Sequence, residues 1–555
     1  MPAELEVSTS RYYWAAPGDV NALFGLMLDN IADLLLTVGL LAGVFGFPVE
    51  FSLRYMVPGT AIGVLVGDLL FFWMALRLGR RTGRNDITAM PLGLDTPSTF
   101  GMVFFVLGPA FMLKKAALGV PDDAPASHPL VLEAAIYTWQ IGICSIFVSG
   151  LFKFACALGS NWIRRVLPRA GLLGSLTGIA LVLISFLPLL EILQYPIVGF
   201  VALAVILTTL VARVELPFKI PGALGALIVG SVIYYAMIAC GELGWFTKTF
   251  GVLPAASKAD VVLFPTAWLS VFRFEWLGVL QDSFHYLPIV IPFALGTVIG
   301  GIDCTESAAA AGDDFHTGRI IAVEGLATVV AALCGGVIQT TPYIGHPAYK
   351  AMGGRAAYAL ATAIFVGSAG VIGYFGYLYE IIPKASVFPI LIFIGLEITA
   401  QSFHATPKRH YTAVAIACVP ALAALAIIFI DKLTAGGSTV GTLEPSLQHE
   451  IQTVRMLANG FIVTSLLWGS ALAAINDRRL SLAAVYFGVA SVCSFFGIMH
   501  SPEVGSPMYL PWKLELDFQH LVYQFTAGYA LVSVLLIAWH LISKPQPLNE
   551  TATTQ

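Results

Sequence analysis

Two pairs of acidic residues lie inside strongly apolar stretches of the chain. Asp29 and Asp33 stand four residues apart in LDNIAD, and Asp303 and Glu306 stand three apart in IDCTES. At helical spacing, each pair lies on one face of its helix. Ionisable groups inside apolar spans are costly, and by default they mark a substrate or proton path. The pattern predicts that these four carboxylates are proton-coupling groups.

The sequence also leaves a structural role open for each pair. Asp303 and Glu306 could simply lie near the cytoplasmic end of their segment, close to the acidic residues that follow it. Asp29 and Asp33 could instead form ion pairs with an arginine. The residue types alone do not show whether these carboxylates couple protons to transport or only stabilise the structure.

Two further segments are apolar but interrupted. TAMPLGLDTPSTFG, residues 88–101, and QTTPYIGHPAYKAMGG, residues 339–354, each place Pro and Gly before a short helical stretch. Irregular backbone at membrane depth is tolerated only where protein buries it or it lines a cavity. Paired broken segments in two halves of a chain are the best sequence pointer to a transporter's substrate site. The substrate-binding residues predicted from these segments and the nearby acidic helix are Asp95, Thr96, Asp303, Thr341, Tyr343 and His346, and the likeness to a known family adds Thr305 and Gly345.

Two of these residues keep an alternative reading. Asp95 could cap the short helix that begins near Pro97 rather than contact a ligand. His346 could be an ordinary loop histidine.

The composition of the whole chain sets its class. Of 555 residues, 57% are hydrophobic and only 11% are charged, and mean hydropathy is +0.83. Average soluble domains carry about 25% charged residues. Because a span needs roughly 20 apolar residues, the chain is long enough for many, and it is predicted to be an all-α polytopic membrane protein.

Apolar segments and loop charges give the topology. If both broken segments count as crossings, there are about sixteen, and every even-numbered one ends among basic residues, as in RLGRR after the second. Both termini, 1–19 and 544–555, are then predicted to be cytoplasmic, and the expected location is the cell membrane. Lys114 and Lys115, on a predicted outer loop, are the exception. The longest outer connection, 242–285, contains a candidate interfacial helix.

Several function classes lack their residue patterns. The seven cysteines are scattered without a CxxC pair, so neither a metal site nor a disulfide is predicted. No nucleophile–base set, HEXXH or phosphate loop occurs, so no enzyme and no cofactor are expected. Basic residues occur only in short loop clusters, which argues against nucleic acid as a partner.

One long run of residues resembles a known family. GGRAAYALATAIF…IIPKASVFPILIFIGLEITAQSF, within 353–403, is similar to the nucleobase cation symporter-2 superfamily, and most of all to azaguanine-type hypoxanthine/guanine/adenine permeases. The likeness continues upstream through IDCTES, GLATVVAALCGG and TTPYIG, 302–345. It is weaker at PGTAIGVLVGDLL, 58–70, and MPLGLDTPS, 90–98.

The resemblance implies a fold of two inverted repeats of seven crossings, with interrupted third and tenth crossings. The first four crossings of each repeat would form a core and the last three a gate. Two additional helices, within 480–543, fall outside the resemblance. The implied core is 20–158 plus 286–378, and the implied gate is 168–241 plus 384–476.

The implied site departs from the family's pattern. Asp303 matches the family's eighth-crossing Asp, and Thr305 lies near its Thr. The tenth-crossing carboxylate that would hold a base is Gly345 here, followed by His346, and the third crossing reads Gly-Leu-Asp-Thr in place of Gly-Leu-Asn-Ala, so Asp95 replaces an asparagine.

These observations support three hypotheses. The first is a proton-coupled symporter of a nucleobase or similar small planar solute, with sodium as an alternative coupling ion. The second is a transporter of an anion or carboxylate with the same fold, like sulfate and bicarbonate transporters. The third is a membrane enzyme or sensor that uses the fold as a scaffold. The expected partners are the solute, protons and the lipid bilayer, and dimers are common in the resembling families.

Overall fold

The computed structural model describes residues 12–121, 124–166, 169–242, 261–343, 345–434, 440–503 and 508–543. Within these ranges the chain is almost entirely helical, apart from one sheet of two short strands. The first part of the chain contains seven helices and one strand, in the order α1 Gly18–Phe45, α2 Val49–Thr82, β1 Leu92–Leu94, α3 Thr96–Ala117, α4 Pro129–Val166, α5 Ala170–Ile192, α6 Pro196–Val211 and α7 Gly222–Glu242.

Short 3-10 turns, including Ala267–Arg273 and Glu275–Val279, connect α7 to the second part. The remaining elements are α8 Leu287–Ala310, α9 Thr317–Leu333, β2 Thr340–Pro342, α10 His346–Ala351, α11 Ala357–Ile372, α12 Phe375–Ile381, α13 Lys384–His404, α14 Tyr411–Leu433, α15 Pro445–Ala458, α16 Phe461–Asn476, α17 Leu480–Phe495 and α18 Leu516–Ser543.

The length and apolarity of the helices fit a membrane protein. Among the described residues, 10 helices are long and apolar enough to cross a membrane, or up to 12 if each of two bent pairs counts as one span. This confirms the predicted all-α polytopic membrane protein with its third and tenth crossings interrupted.

Two segments that the sequence presents as continuous are bent in the structure. α11 and α12 meet at 94°, and α15 and α16 meet at 70°. Gly373, at φ +89°, and Gly460, at φ +70°, stand at these breaks. Glycine adopts this left-handed conformation without steric cost, so it ends one helix and lets the next leave in a new direction.

The chain divides into two compact units. The first contains residues 1–160, 188–283 and 293–393, and the second contains 161–187, 284–292 and 394–555. The division into core and gate stays a prediction. The predicted cytoplasmic tail 544–555 lies outside the described residues, as do residues 1–11 of the N-terminus and 243–260 of the outer loop.

A face of small residues brings α2 close to the strands in the first unit. Gly59, Gly63 and Gly67 recur every four residues, a spacing that puts them on one side of a helix. A Cβ added at Gly63 would lie 2.7 Å from the Cβ of Ala331 on α9, and one added at Gly67 would lie 2.5 Å from Leu92 on β1. The glycines therefore permit the close backbone packing that positions β1.

Candidate functional site

Two three-residue strands, one from each broken segment, pair antiparallel in the first unit. Gly93 of β1 lies opposite Thr341 of β2. Just beyond β1, the Asp95 amide donates a hydrogen bond to the Gln339 carbonyl at 3.1 Å. The two interrupted crossings are therefore joined through their backbones, and their surroundings form what we term the strand site.

The outer edge of β1 is satisfied by side chains rather than by another strand. The Leu92 amide donates to Asp68 Oδ1 on α2 at 3.0 Å. The Leu94 amide donates to Asn30 Oδ1 on α1, also at 3.0 Å. Backbone polar groups without a partner are costly at membrane depth, so these two buried side chains fix β1 in place.

The outer edge of β2 is held in the same way from the opposite side. Lys153 Nζ on α4 donates to the Thr340 carbonyl at 2.8 Å, and the Thr340 amide donates to Thr328 Oγ1 on α9 at 3.3 Å. Lys153 Nζ also lies 2.9 Å from Glu324 Oε1 on α9. Both charged side chains have no exposed surface, so this is a fully buried ion pair in contact with a strand.

Asp95 caps the helix that follows β1. Its Oδ2 accepts from the Ser98 amide at 3.0 Å, the geometry of an N-cap. The same oxygen lies 3.4 Å from Gln339 Nε2, and Ser149 on α4 donates to the Gln339 side-chain oxygen. Asp95 is thus a cap that also connects to the residue preceding β2.

The acidic pair on α1 lies at the strand site. Thr96 Oγ1 donates to Asp33 Oδ2 at 3.0 Å. Gly93 faces Asp29, because a Cβ added at Gly93 would be 3.4 Å from Asp29 Oδ2. Both aspartates are buried, and among the described residues neither Asp29 Oδ1 nor Asp33 Oδ1 has a hydrogen-bond partner.

The strand site therefore combines many acids with few bases. Asp68 adds another orphaned atom, because its Oδ2 is buried without a partner among the described residues. Within the described ranges, the buried charged side chains around β1 and β2 are five carboxylates and one ammonium: Asp29, Asp33, Asp68, Asp95, Glu324 and Lys153. An ionised carboxylate without compensation is strongly unfavourable in a low-dielectric environment.

The acidic residues Asp303 and Glu306 belong to α8, a helix that borders the strand site. α8 packs on β2 through Cys304, whose Sγ lies 3.5 Å from the Pro342 carbonyl oxygen. Asp303 and Glu306 are both half-buried. The Thr305 hydroxyl is buried and donates to the Gly301 carbonyl of its own helix at 2.7 Å.

The remaining residues predicted on the second broken segment have different surroundings. Thr341 is half-buried in β2, and the amide of Tyr343 donates to the Pro91 carbonyl at 2.8 Å. The rings of Tyr343 and Tyr349 stack with centroids 6.1 Å apart. A Cβ added at Gly345 would meet the Tyr343 ring at 2.6 Å. The stacked tyrosines therefore explain why this position carries no side chain.

His346 lies in a separate cluster at the start of α10. Its fully buried ring places Nε2 3.3 Å from Asp313 Oδ2 and 3.2 Å from the Thr88 carbonyl oxygen. Lys350 Nζ donates to Asp313 Oδ1 at 2.6 Å, and the Thr88 amide donates to Asp313 Oδ2 at 2.9 Å. We term these residues, with Arg84, the Asp313 cluster. The structure thus assigns His346 contacts that tie α10 to the segment before β1.

Electrostatics favours the ionised carboxylates in this cluster. Burial raises the pKa of Asp313, but hydrogen bonds from His346, Lys350 and the Thr88 amide outweigh it, so the pKa is lowered overall. The hydrogen bond from Arg84 lowers the pKa of Asp86 to about 2. The cluster is therefore held together by charged acids at neutral pH.

The residues of the strand site that the sequence reasoning missed include Lys153, Glu324, Asp68 and Gln339. A signal for the first three was available, since each is ionisable within an apolar stretch. Gln339 had no comparable signal, because its role comes from its contacts with Asp95 and Ser149. No group of three or more His, Cys, Asp or Glu side chains that could hold a metal ion occurs within the described ranges.

Comparison with known proteins gives only distant likenesses. No family model matches the chain, and no curated protein matches it. Among solved structures, the chain is similar to the transmembrane domain of the bicarbonate transporter BicA from a cyanobacterium, at 18% identity and a TM-score of 0.42, covering 76% of this chain and 97% of that one. It is also similar to SLC26A9, at 11% identity and a TM-score of 0.43, covering 95% of this chain and 91% of that one.

These findings correct the family expected from the sequence. The two solved structures named above are a bicarbonate transporter and SLC26A9, neither of them a nucleobase permease, and no family model matches the chain. The predicted membership in the nucleobase cation symporter-2 superfamily is therefore wrong. Gly345 and Asp95, where the sequence departs from that family's site pattern, are consistent with this correction.

Proposed function

We propose that the chain is a secondary active transporter that carries a small anion together with protons through the strand site. The observation that carries this proposal is the set of buried, unpartnered carboxylate oxygens on Asp29, Asp33 and Asp68, within the described residues. Apolar spans surround these groups, and ionisable residues in such positions mark ion and proton paths.

The excess of acid over base supports proton binding. Among the described residues, five buried carboxylates and one buried lysine lie around the two strands. Desolvation alone costs several kcal/mol per buried ion, so protons are needed to neutralise the carboxylates that Lys153 does not compensate. A proton needs no coordination shell of several oxygens, which makes it the simplest neutralising ion here.

The same excess would make cargo and proton binding depend on each other. A negatively charged cargo is repelled while the carboxylates are ionised, and it is accepted once they are protonated. Binding of one therefore promotes binding of the other, and such coupling is reciprocal. Lys153, the one buried cation of the strand site among the described residues, gives a small anion a charged partner.

Access to the two membrane faces would alternate between the predicted core and gate. In this proposal, 20–158 with 286–378 moves against 168–241 with 384–476, as in other transporters built from repeats. We further propose that both termini face the cytoplasm of the cell, as the loop charges indicate. Single cysteines placed at the two chain ends and tested for labelling from outside would check this orientation.

Transport in proteoliposomes tests the function directly. Purified protein is reconstituted, and uptake of radiolabelled sulfate, oxalate and succinate is measured with and without an acid-outside pH gradient. The gradient should accelerate uptake of at least one anion, and Asp33→Asn should abolish that acceleration. Asp314→Asn, which alters an exposed acid, should leave it unchanged.

Two results would contradict this proposal. The first is anion uptake that ignores the pH gradient in the unmodified protein. The second is gradient-driven uptake of an uncharged solute with no uptake of any anion, which would keep proton coupling but replace the cargo.

A further inference from the structure

We propose that Lys153 is the anion-binding residue of the strand site and that protonation of Glu324 is the step that makes its charge available. This inference rests on the proposed function and adds to it the residue that binds the cargo. It begins from the fully buried ion pair, with Lys153 Nζ 2.9 Å from Glu324 Oε1.

The lysine is confined by tight packing of α4 on α9. A Cβ added at Gly325 would lie 3.1 Å from the Gly150 carbonyl oxygen and 3.3 Å from Lys153 Cβ. Two helices this close leave the lysine stem little freedom. The ammonium also donates to the Thr340 carbonyl on β2 at 2.8 Å, which keeps it against the strand.

Charge decides when this ammonium attracts an anion. While Glu324 is ionised, it neutralises Lys153, and an anion gains little by approaching. A proton on Glu324 leaves the buried ammonium with only neutral hydrogen-bond acceptors, so the desolvation cost of its charge is then largely uncompensated. An anion that replaces the lost carboxylate charge relieves this cost. Proton binding and anion binding therefore favour each other through a single contact.

Other groups face the pair and share its electrostatics. Asp95 on α3 interacts electrostatically with both Lys153 and Glu324. The further neighbours of the Glu324 carboxylate are Thr297 and Cys304 on α8 and Cys156 on α4. Among these, Asp95 carries the second negative charge, so a proton on it would strengthen the same effect.

The surroundings also limit the size of the cargo. On α8, a Cβ added at Gly301 would meet Glu324 Oε2 at 3.0 Å and Pro342 at 3.6 Å. The carboxylate therefore lies against a bare stretch of helix with little spare room. We therefore expect an anion of few atoms, with a carboxylate or oxyanion group that accepts a hydrogen bond from the ammonium.

Variants of the pair test the inference in proteoliposomes, with oxalate, sulfate and succinate as probes. Glu324→Gln imitates the protonated acid, so anion exchange should continue while KM loses the part of its pH dependence that comes from Glu324. Lys153→Met should raise KM for the anion by about tenfold or more, because a charge-assisted hydrogen bond is worth about 1.5–3 kcal/mol. Lys153→Arg keeps the positive charge, so it should raise KM for the anion less than Lys153→Met does.

A double variant separates loss of binding from loss of fold. Lys153→Met with Glu324→Gln removes both charges, and such neutral replacements of buried pairs are commonly well folded. It should remain monodisperse and thermally stable, yet show the weak anion uptake of a site without its cation.

The outcomes distinguish this inference from the proposed function. If the unmodified protein shows no proton-linked anion uptake, the proposed function fails. If it does, but Glu324→Gln keeps the normal pH dependence of KM, or the stable double variant keeps the normal KM, only the assignment to Lys153 and Glu324 is overturned.

Discussion

Asp313→Asn tests whether the Asp313 cluster holds the two broken segments together. The Asp313 side chain has no exposed surface. Four nitrogen donors lie close to its carboxylate oxygens: Lys350 at 2.6 Å, the Thr88 amide at 2.9 Å, His346 at 3.3 Å and Arg84 at 3.4 Å. Asparagine has the same shape but no charge, and its amide nitrogen would face one of these donors.

The size of the effect follows from these contacts. Hydrogen bonds to charged groups contribute about 1.5–3 kcal/mol each, and removal of one member of a buried pair costs about 3–5 kcal/mol. Because Lys350 keeps partial access to solvent, we expect a loss near the lower end, about 3 kcal/mol. For a protein of this size that corresponds to a lower melting temperature by roughly 2–3 °C.

The effect of pH has a definite sign. The folded pKa of Asp313 lies below its ordinary value of 3.8, so its stabilisation is complete above that value and is lost as pH falls through the folded pKa. The difference in stability between the unmodified protein and the Asp313→Asn variant should be constant above about pH 5 and should decrease toward about pH 3.

Thermal melting of the purified protein in detergent, followed by intrinsic fluorescence, measures both effects. Asp314→Asn is the matched control. Because Asp314 is exposed, this variant should have the melting temperature of the unmodified protein. An Asp313→Asn variant as stable as this control at neutral pH, or a gap that widens in acid, would refute the reasoning.

Two further changes test the packing of each unit by the same melting assay. Gly63→Ala places a Cβ 2.7 Å from that of Ala331 and should lower the stability by about 1–3 kcal/mol. The control Gly43→Ala has nothing within 4 Å of the new atom and should be neutral or stabilise the protein by up to about 1 kcal/mol. Equal melting temperatures of the two variants would show that the α2 glycine face is not tightly packed. In the second unit, the Tyr529 hydroxyl accepts from Trp468 at 2.8 Å and lies 2.8 Å from His500 Nε2. Tyr529→Phe should therefore cost about 1–3 kcal/mol, while Tyr523→Phe on the exposed side of the same helix should cost little, and the reverse order would contradict this network.

The apolar segments and the two breaks could be read from the sequence because both depend on local residue types. Runs of apolar residues define spans, and Pro and Gly interrupt them. α3 begins at Thr96, directly after the predicted break, and Asp95 takes the capping role that its position before Pro97 suggested. The bends at Gly373 and Gly460 were missed, because an isolated glycine in an apolar run does not reveal its backbone angle.

The strand site itself depends on contacts between distant segments. Lys153 meets Glu324 only because α4 and α9 pack closely at Gly150 and Gly325. His346 was predicted at the substrate site from its neighbourhood in sequence, but its partner Asp313 comes from the loop before α9. No periodicity within one segment carries that information.

The pairing of β1 with β2 also constrains how the chain is made. Leu92–Leu94 and Thr340–Pro342 belong to opposite halves of the sequence. During synthesis, β1 enters the membrane long before its partner exists, and its backbone groups cannot remain unpaired in lipid. Until the second half of the chain has been synthesised, β1 must therefore stay in contact with water or with the insertion machinery. A ribosome stalled before residue 340 would hold a chain whose first half is inserted but whose strand β1 has no β2 to pair with.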